Sequence, residues 1–222
     1  MGNMNKQTTA PAENRDFLAD PLANIIRFCK QNRKPLLATL VAVVIVTVGI
    51  SLYVNHCKKV TEDSWAAYYQ AQVAFFQQGE ETGFKQLDDV AARFAGTPAA
   101  QYAQLFKADR IYDAENYAQA AQIYAGLTSS TNEIVRSVAT LSQAAALQGA
   151  QNYPQSISVL QSFIAQNSKS FMLPQAYLTL ALSQELAGNK AQALESYKYL
   201  LENYTQTYFG TFAKDKISEL QK

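Results

Sequence analysis

The chain has 222 residues, of which 48% are hydrophobic and 17% charged, with one histidine, two cysteines and a formal net charge of +1. That charge is unevenly shared: residues 1–34 carry +3, whereas residues 60–222 carry −4. A weakly acidic C-terminal part argues against nucleic acid as a partner, which calls for a basic face. A single histidine (His56), with no cysteine beyond Cys57, leaves no histidine pair, cysteine nucleophile or cysteine-held metal there.

Residues 1–16 are polar and poor in apolar side chains, so the sequence predicts a disordered tail. Gly2 does not make an acylation signal, because position 6 is Lys rather than Ser or Thr. Asp20-Pro21 reads as an N-cap followed by proline at the first helical position. Leu22, Ile25, Ile26 and Cys29 then recur at helical spacing, with Arg27, Lys30 and Arg33 elsewhere on the helix. This predicts a short interfacial helix, or else a flexible lead-in.

Leu36 to Val54 contains no charge and no proline. As a helix it spans about 28 Å, close to the roughly 30 Å of a bilayer core. Thr39, Thr47 and Ser51 are compatible with lipid because such hydroxyls bond back to their own helix. A buried core helix seldom runs this long without charge. A cleaved signal would need a shorter apolar run and a small-x-small site, and Tyr53-Val54-Asn55-His56-Cys57 supplies none. The expectation is an uncleaved anchor over residues 35–57. Arg27, Lys30, Arg33 and Lys34 precede the span, against Lys58 and Lys59 after it, which predicts a cytoplasmic N-terminus. Tyr53 and Trp65 are candidate interface anchors. Cys29 and Cys57 would lie about 42 Å apart on one helix and cannot pair with each other.

After a polar collar at Asn55 to Thr61, the remainder reads as helical throughout, with Trp65 opening the outer domain. Apolar residues recur at three and four, and β-branched residues are sparse. The helices come in pairs: Tyr102 to Leu127 turning at Ala114 to Asn116, Val138 to Phe163 turning at Gly149 to Tyr153, and Gln175 to Leu201 turning at Gly188 to Lys190. Asn116, Asn152 and Asn189 take equivalent turn positions, giving periods of 36 and 37, the mark of a stacked helical array. Trp65 to Phe94 reads as an earlier, degenerate pair broken at Gly79 to Gly83. Tyr208 to Leu220 reads as a closing helix with Phe209, Ala213, Ile217 and Leu220 on its apolar side. Thr97-Pro98, the capping-box pattern Ser130-x-x-Glu133, and Pro174 mark helix starts.

The pairs resemble tetratricopeptide repeats. The third matches at Tyr177, Leu180, Ala181, Gly188, Ala193 and Tyr197, and departs at Gln184 and Leu200. The second keeps Ala144, Leu147, Tyr153 and Leu160, with Ser156 where alanine is expected. The first keeps Ala108, Ile111, Tyr117, Ala120 and Tyr124, with Gln104 and Lys107 as departures. The layout of a short cytoplasmic head (Lys30 to Lys34), one anchor and a small repeat domain resembles the bacterial ancillary Sec-translocon subunit family. That resemblance implies an inner-membrane protein facing the periplasm, associated with the translocon and periplasmic chaperones.

The expected fold is therefore all-α: a cytoplasmic segment over 1–34, a transmembrane anchor over 35–57, and a tetratricopeptide-like α-solenoid over 58–222. Carrying over the repeat register, the first helix of each pair would line a protein-binding groove with Tyr69, Phe76, Tyr102, Leu105, Asp109, Tyr112, Leu141, Gln148, Gln175, Leu178 and Glu185. These positions include no Lys or Arg, which suits an apolar or helical protein segment. Tyrosines suit a groove because they offer area, a polar tip and little rotamer entropy to lose; packing is the alternative role for the same residues. Tyr117, Tyr124, Tyr153 and Tyr197 are expected to pack. The sequence has no glycine-rich phosphate loop and no Gly-x-Ser-x-Gly. Glu80-Glu81 and Asp88-Asp89 are neighbours pointing apart on a helix. The expectation is a non-enzyme without cofactor, acting on translocon subunits, chaperones or exported clients. A scaffold for an envelope-assembly or cell-wall machine is the alternative, and an unrecognised enzyme a third.

Overall fold

The computed structural model describes residues 19–222, with side chains from residue 24. The tail expected over 1–16 lies outside the described residues. Among the described residues ten helices run in order: α1 (Ala19–Gln31), α2 (Arg33–Gln78), α3 (Glu80–Arg93), α4 (Pro98–Asp113), α5 (Tyr117–Leu127), α6 (Glu133–Gly149), α7 (Tyr153–Gln166), α8 (Leu173–Leu186), α9 (Lys190–Asn203) and α10 (Tyr208–Leu220). The described residues contain no strand. The chain divides into two compact units, one ending at Cys57 and one comprising Lys58–Lys222.

In the first unit, α1 begins at Ala19, so Asp20-Pro21 sits inside the first turn rather than capping it. α2 contains an apolar segment of mean hydropathy 2.5 over 18 residues, none of it buried inside the protein. It is long and apolar enough to cross a membrane. Thr39 Oγ1 donates to the Pro35 carbonyl and Thr47 Oγ1 to that of Val44, each at 2.9 Å, so both hydroxyls are satisfied within the helix. The collar at Asn55 to Thr61 is not an interruption: it is helical, as part of α2. No glycine or proline stands there to stop propagation.

The second unit is an α-solenoid in which each helix packs chiefly on its sequence neighbours, the arrangement expected of stacked pairs. Alanine at the contact positions lets the helices approach closely: Ala71, Ala99, Ala103, Ala108, Ala120, Ala139, Ala144, Ala176, Ala181, Ala193 and Ala213 are fully buried. α10 covers the last pair, with Phe209, Phe212, Ile217 and Leu220 packed on Tyr197 and Leu200. The Trp65 ring lies against Tyr68, Tyr69 and Tyr102 within the domain.

The repeat is written most clearly in the turns. Asn116, Asn152 and Asn189 have nearly the same backbone, φ −82°, −89° and −82° with ψ 61°, 61° and 58°. Their amides reach back to Ile111, Leu147 and Gln184 at 3.1, 2.8 and 2.8 Å, closing three six-residue C-terminal caps. The residue before each asparagine is left-handed: Glu115 and Gln151 at φ 60°, Gly188 at φ 79°. Only the third repeat uses the residue suited to that conformation. Gln151→Gly is therefore expected to stabilise the domain by a few tenths to about 1 kcal/mol, less the added freedom of the unfolded chain. A raised urea midpoint with an unchanged slope would show it.

Of the start signals in this unit, one falls elsewhere than expected. Thr97 caps α4 through its side chain, accepting from the Ala100 amide at 3.3 Å. Ser130, however, is not the cap of α6. Asn132 is, with Oδ1 accepting from the amides of Ile134 and Val135. Ser130 instead accepts from the Asn132 amide at 3.0 Å and pairs with Gln101 on α4, also at 3.0 Å. The first pair breaks at Gly79 alone, φ 98°, and Gly83 lies inside α3.

Candidate protein-binding surface

Four of the five departures from the repeat pattern are explained by their neighbours. Ser156, replacing alanine, donates to the Ala144 carbonyl at 2.8 Å and meets Ser183 at 2.9 Å. Gln184, replacing an aromatic, accepts from Ser196 at 2.8 Å. Both are buried polar side chains with their partners in place, as burial requires. Lys107 reaches Asp88 on α3 at 2.7 Å and lies over the Phe84 ring. Leu200 is wholly buried among Tyr197, Ala193 and Ala213.

The eleven residues of the expected groove sort into three environments. Leu105, Leu141 and Leu178 each expose only 7% of their surface and belong to three different core clusters. Tyr69, Phe76 and Gln175 are not in that core: all three are exposed. Tyr102, Asp109, Tyr112, Gln148 and Glu185 are half-buried. Tyr102 packs against the two clusters on either side of α4. Gln148 receives a hydrogen bond from Ser183 at 3.3 Å. Glu185 accepts from the Tyr197 phenol at 2.8 Å and pairs with Lys216 of α10 at 3.1 Å. That hydrogen bond to Glu185 holds the Lys216 ammonium above its ordinary pKa.

Asp109 and Tyr112 are brought together. They line a cleft of about 330 Å³ with Arg110, Asp113 and Tyr124, and with Ser142 and Ala145 from α6. The Tyr124 phenol, itself 2% exposed, donates to Asp109 Oδ1 at 2.5 Å. Burial pushes the Asp109 carboxyl above its usual range, while the phenol and the Arg110 charge pull it partly back. Burial and the same hydrogen bond push the Tyr124 phenol well above the usual value, so it remains a donor at any ordinary pH. The Tyr112 ring meets Tyr117 edge-on at 5.1 Å.

The repeat register misses Arg110, the cation of this cleft. Its guanidinium pairs with Asp113 at 2.9 Å and lies over the Phe106 ring. Its Nε is shielded from solvent and has no hydrogen-bond partner among the described residues. The i,i+3 spacing of Arg110 and Asp113 is the available sequence signal. The cleft is thus lined by two carboxylates, a guanidinium, a phenol and a hydroxyl, groups able to bond a polypeptide. Among the described residues no cluster of three or more His, Cys, Asp or Glu could hold a metal.

Tyr69 lines a second cleft, of about 430 Å³, with Val73 and Gln78 of α2 and Gln86 of α3. Tyr69, Val73 and Phe76 are 58%, 50% and 68% exposed, an apolar stripe at i, i+4 and i+7.

Comparison with known proteins bears on the fold. The TPR-like repeats of a Podosopora anserina kinesin light chain superpose with a TM-score of 0.54 at 12% identity, over 70% of this chain and 83% of that one. A point variant of those repeats gives 0.55 at 11% over the same shares. At such identities the likeness is one of fold. No curated protein matches this chain. The tetratricopeptide repeat-like domain matches residues 27–172, taking in the apolar segment and the helices up to α7. With the anchor-bearing helix and the stacked pairs matched together, this chain belongs to the tetratricopeptide repeat-like domain family.

Proposed function

We propose that this protein is a membrane-tethered, protein-binding adaptor that acts at the Sec translocon on exported proteins. The carrying observation is the cleft of Asp109, Arg110, Tyr112 and Tyr124, set in a domain joined to a membrane-length apolar helix. The layout is cytoplasmic residues 1–34, an anchor over 35–57 and a periplasmic binding domain over 58–222. Arg27, Lys30, Arg33 and Lys34 before the span, against Lys58 and Lys59 after it, support this orientation. The likeness of the head, anchor and repeat domain to ancillary translocon subunits supports the place of action. Tethering confines the cleft to the membrane surface and so raises its effective concentration near emerging chains. No step of chemistry is required of it.

The test is crosslinking in cells from a photoreactive residue at Tyr112, with an exposed control at Lys198 on α9. Adducts from Tyr112 to translocon subunits, periplasmic chaperones or exported chains are expected. Adducts only to cell-wall or outer-membrane assembly factors would replace this reading with that of an envelope scaffold. Adducts from Lys198 with none from Tyr112 would remove the cleft from the binding surface.

A further inference from the structure

A different face of the domain has a different chemistry. α5 and α7 contain no Lys, Arg, Asp or Glu. Two clefts open between them, of about 340 and 440 Å³, and both are lined by Gln143 of α6. Arg136, Thr140, Gln143 and Leu147, spaced by four, three and four, form one row of α6 along these clefts. Arg136 is the only charged residue in either lining, and its Nη1 donates to the Ser130 carbonyl at 2.6 Å. The rest of the polar lining is amide and hydroxyl. Gln122, Gln143, Ser158, Ser162 and Gln166 make no side-chain hydrogen bond to any described residue. The cleft at Asp109, by contrast, is lined by two carboxylates and a guanidinium.

We infer that the groove between α5 and α7 binds an extended, uncharged polypeptide segment through its backbone. A glutamine side chain presents a carbonyl acceptor beside an amide donor, the same pair that a peptide group presents in reverse. Such groups at Gln122, Gln143 and Gln166, one from each of α5, α6 and α7, read peptide bonds rather than side chains and are tolerant of sequence. Apart from Arg136, at one end, the lining carries no charge, so selection for acidic or basic segments is weak. The one aromatic in the lining, Phe163, is 5% exposed and offers no platform for a sugar ring. The α6 row from Arg136 to Leu147 is about 16 Å long, the length of about five residues of extended chain. The occupant is a stretch of unfolded protein. This rests on the protein-binding reading of the domain, but it uses residues that the Asp109 cleft does not.

The experiment uses the full-length protein in detergent micelles and a fluorescent, unstructured peptide of about ten Ser, Thr, Ala, Asn and Gln residues. Three peptides are compared by anisotropy: this one, its backbone N-methylated form, and one carrying several lysines. The neutral peptide is expected to bind with little dependence on salt, and N-methylation is expected to abolish binding. Gln143→Leu should weaken binding by about tenfold, the loss of one or two hydrogen bonds. Gln122→Ala, at an exposed site, should weaken it several-fold, and Lys198→Ala, on α9, should leave it unchanged. Equal affinity for the N-methylated peptide would overturn the inference. So would no binding of the neutral peptide, tighter, salt-sensitive binding of the lysine peptide, or undiminished binding by Gln143→Leu. The last three of these outcomes leave the adaptor reading intact as long as Tyr112 still crosslinks to partners in cells.

Discussion

Gly83→Ala is expected to destabilise the repeat domain by about 3 kcal/mol, at the upper end of the cost of overpacking. The methyl group would be driven onto the Cα and Cβ of Phe75, with Phe75 Cδ2 at 2.9 Å. Backbone cannot rotate away as a flexible side chain can. Phe75 is also held on its other sides, with ring centroids 5.4 Å from Phe84 and 5.5 Å from Phe106. The remaining relief is for α3 to move off α2, which opens the cluster of Tyr68, Ala71, Leu87, Val90, Ala99 and Ala103. Gly126→Ala is the matched control. A Cβ there meets nothing within 4 Å, and alanine is the better helix former by roughly 1 kcal/mol. Urea unfolding of both variants should move the midpoint in opposite directions. Equal midpoints would show that α2 and α3 are not in close contact at this point.

Tyr124→Ala is expected to cost about 3–5 kcal/mol, the usual loss for a buried aromatic. Tyr124 packs with Leu127, Val135 and Ala139 between α5 and α6, so the change leaves a cavity in the largest cluster. Tyr124→Phe isolates the hydroxyl. It keeps the ring but leaves the Asp109 carboxylate without its donor, at a cost of about 1–3 kcal/mol. Asp109→Asn behaves differently because the amide oxygen still accepts from the phenol and no charge is desolvated. The folded Asp109 carboxyl titrates above its unfolded value, so the folded state holds that proton more tightly. Stability then falls as pH rises from the unfolded pKa, about 3.9, through the folded one, and stays lower at neutral pH. Asp109→Asn removes that slope. The variant should be at least as stable as the natural protein at neutral pH, and should lose its advantage on acidification. A variant less stable at neutral pH than in acid, relative to the natural protein, would show that the carboxylate is net stabilising.

Local signals make much of the fold legible. The asparagines at 116, 152 and 189 mark the turns because each follows a left-handed residue that closes a helix, and those are properties of a few adjacent residues. Thr97-Pro98 and the closing helix Tyr208–Leu220 stand where the sequence puts them, for the same reason. The start of α6 is ambiguous in sequence because Ser130 and Asn132 are both capable caps two residues apart. The choice between them turns on Gln101, a residue 29 positions away that engages Ser130. In the groove, the register names Asp109 and Tyr112 but also Leu105, Leu141 and Leu178, which pack inside. Leucine is apolar on either side of a helix, and only the placement of the neighbouring pair decides which side is covered.

The sequence by itself determined the membrane-length apolar helix, the all-helical class and the stacked pairs, since hydropathy and periodicity are summed along the chain and need no partner. Tertiary structure decided what those signals leave open. It set the Tyr124 phenol on Asp109, matched Ser156 with Ser183, and pressed Gly83 against Phe75. Each of these brings together residues of different helices. Such contacts depend on how side chains of particular size interlock across an interface, and no single stretch of chain contains that information.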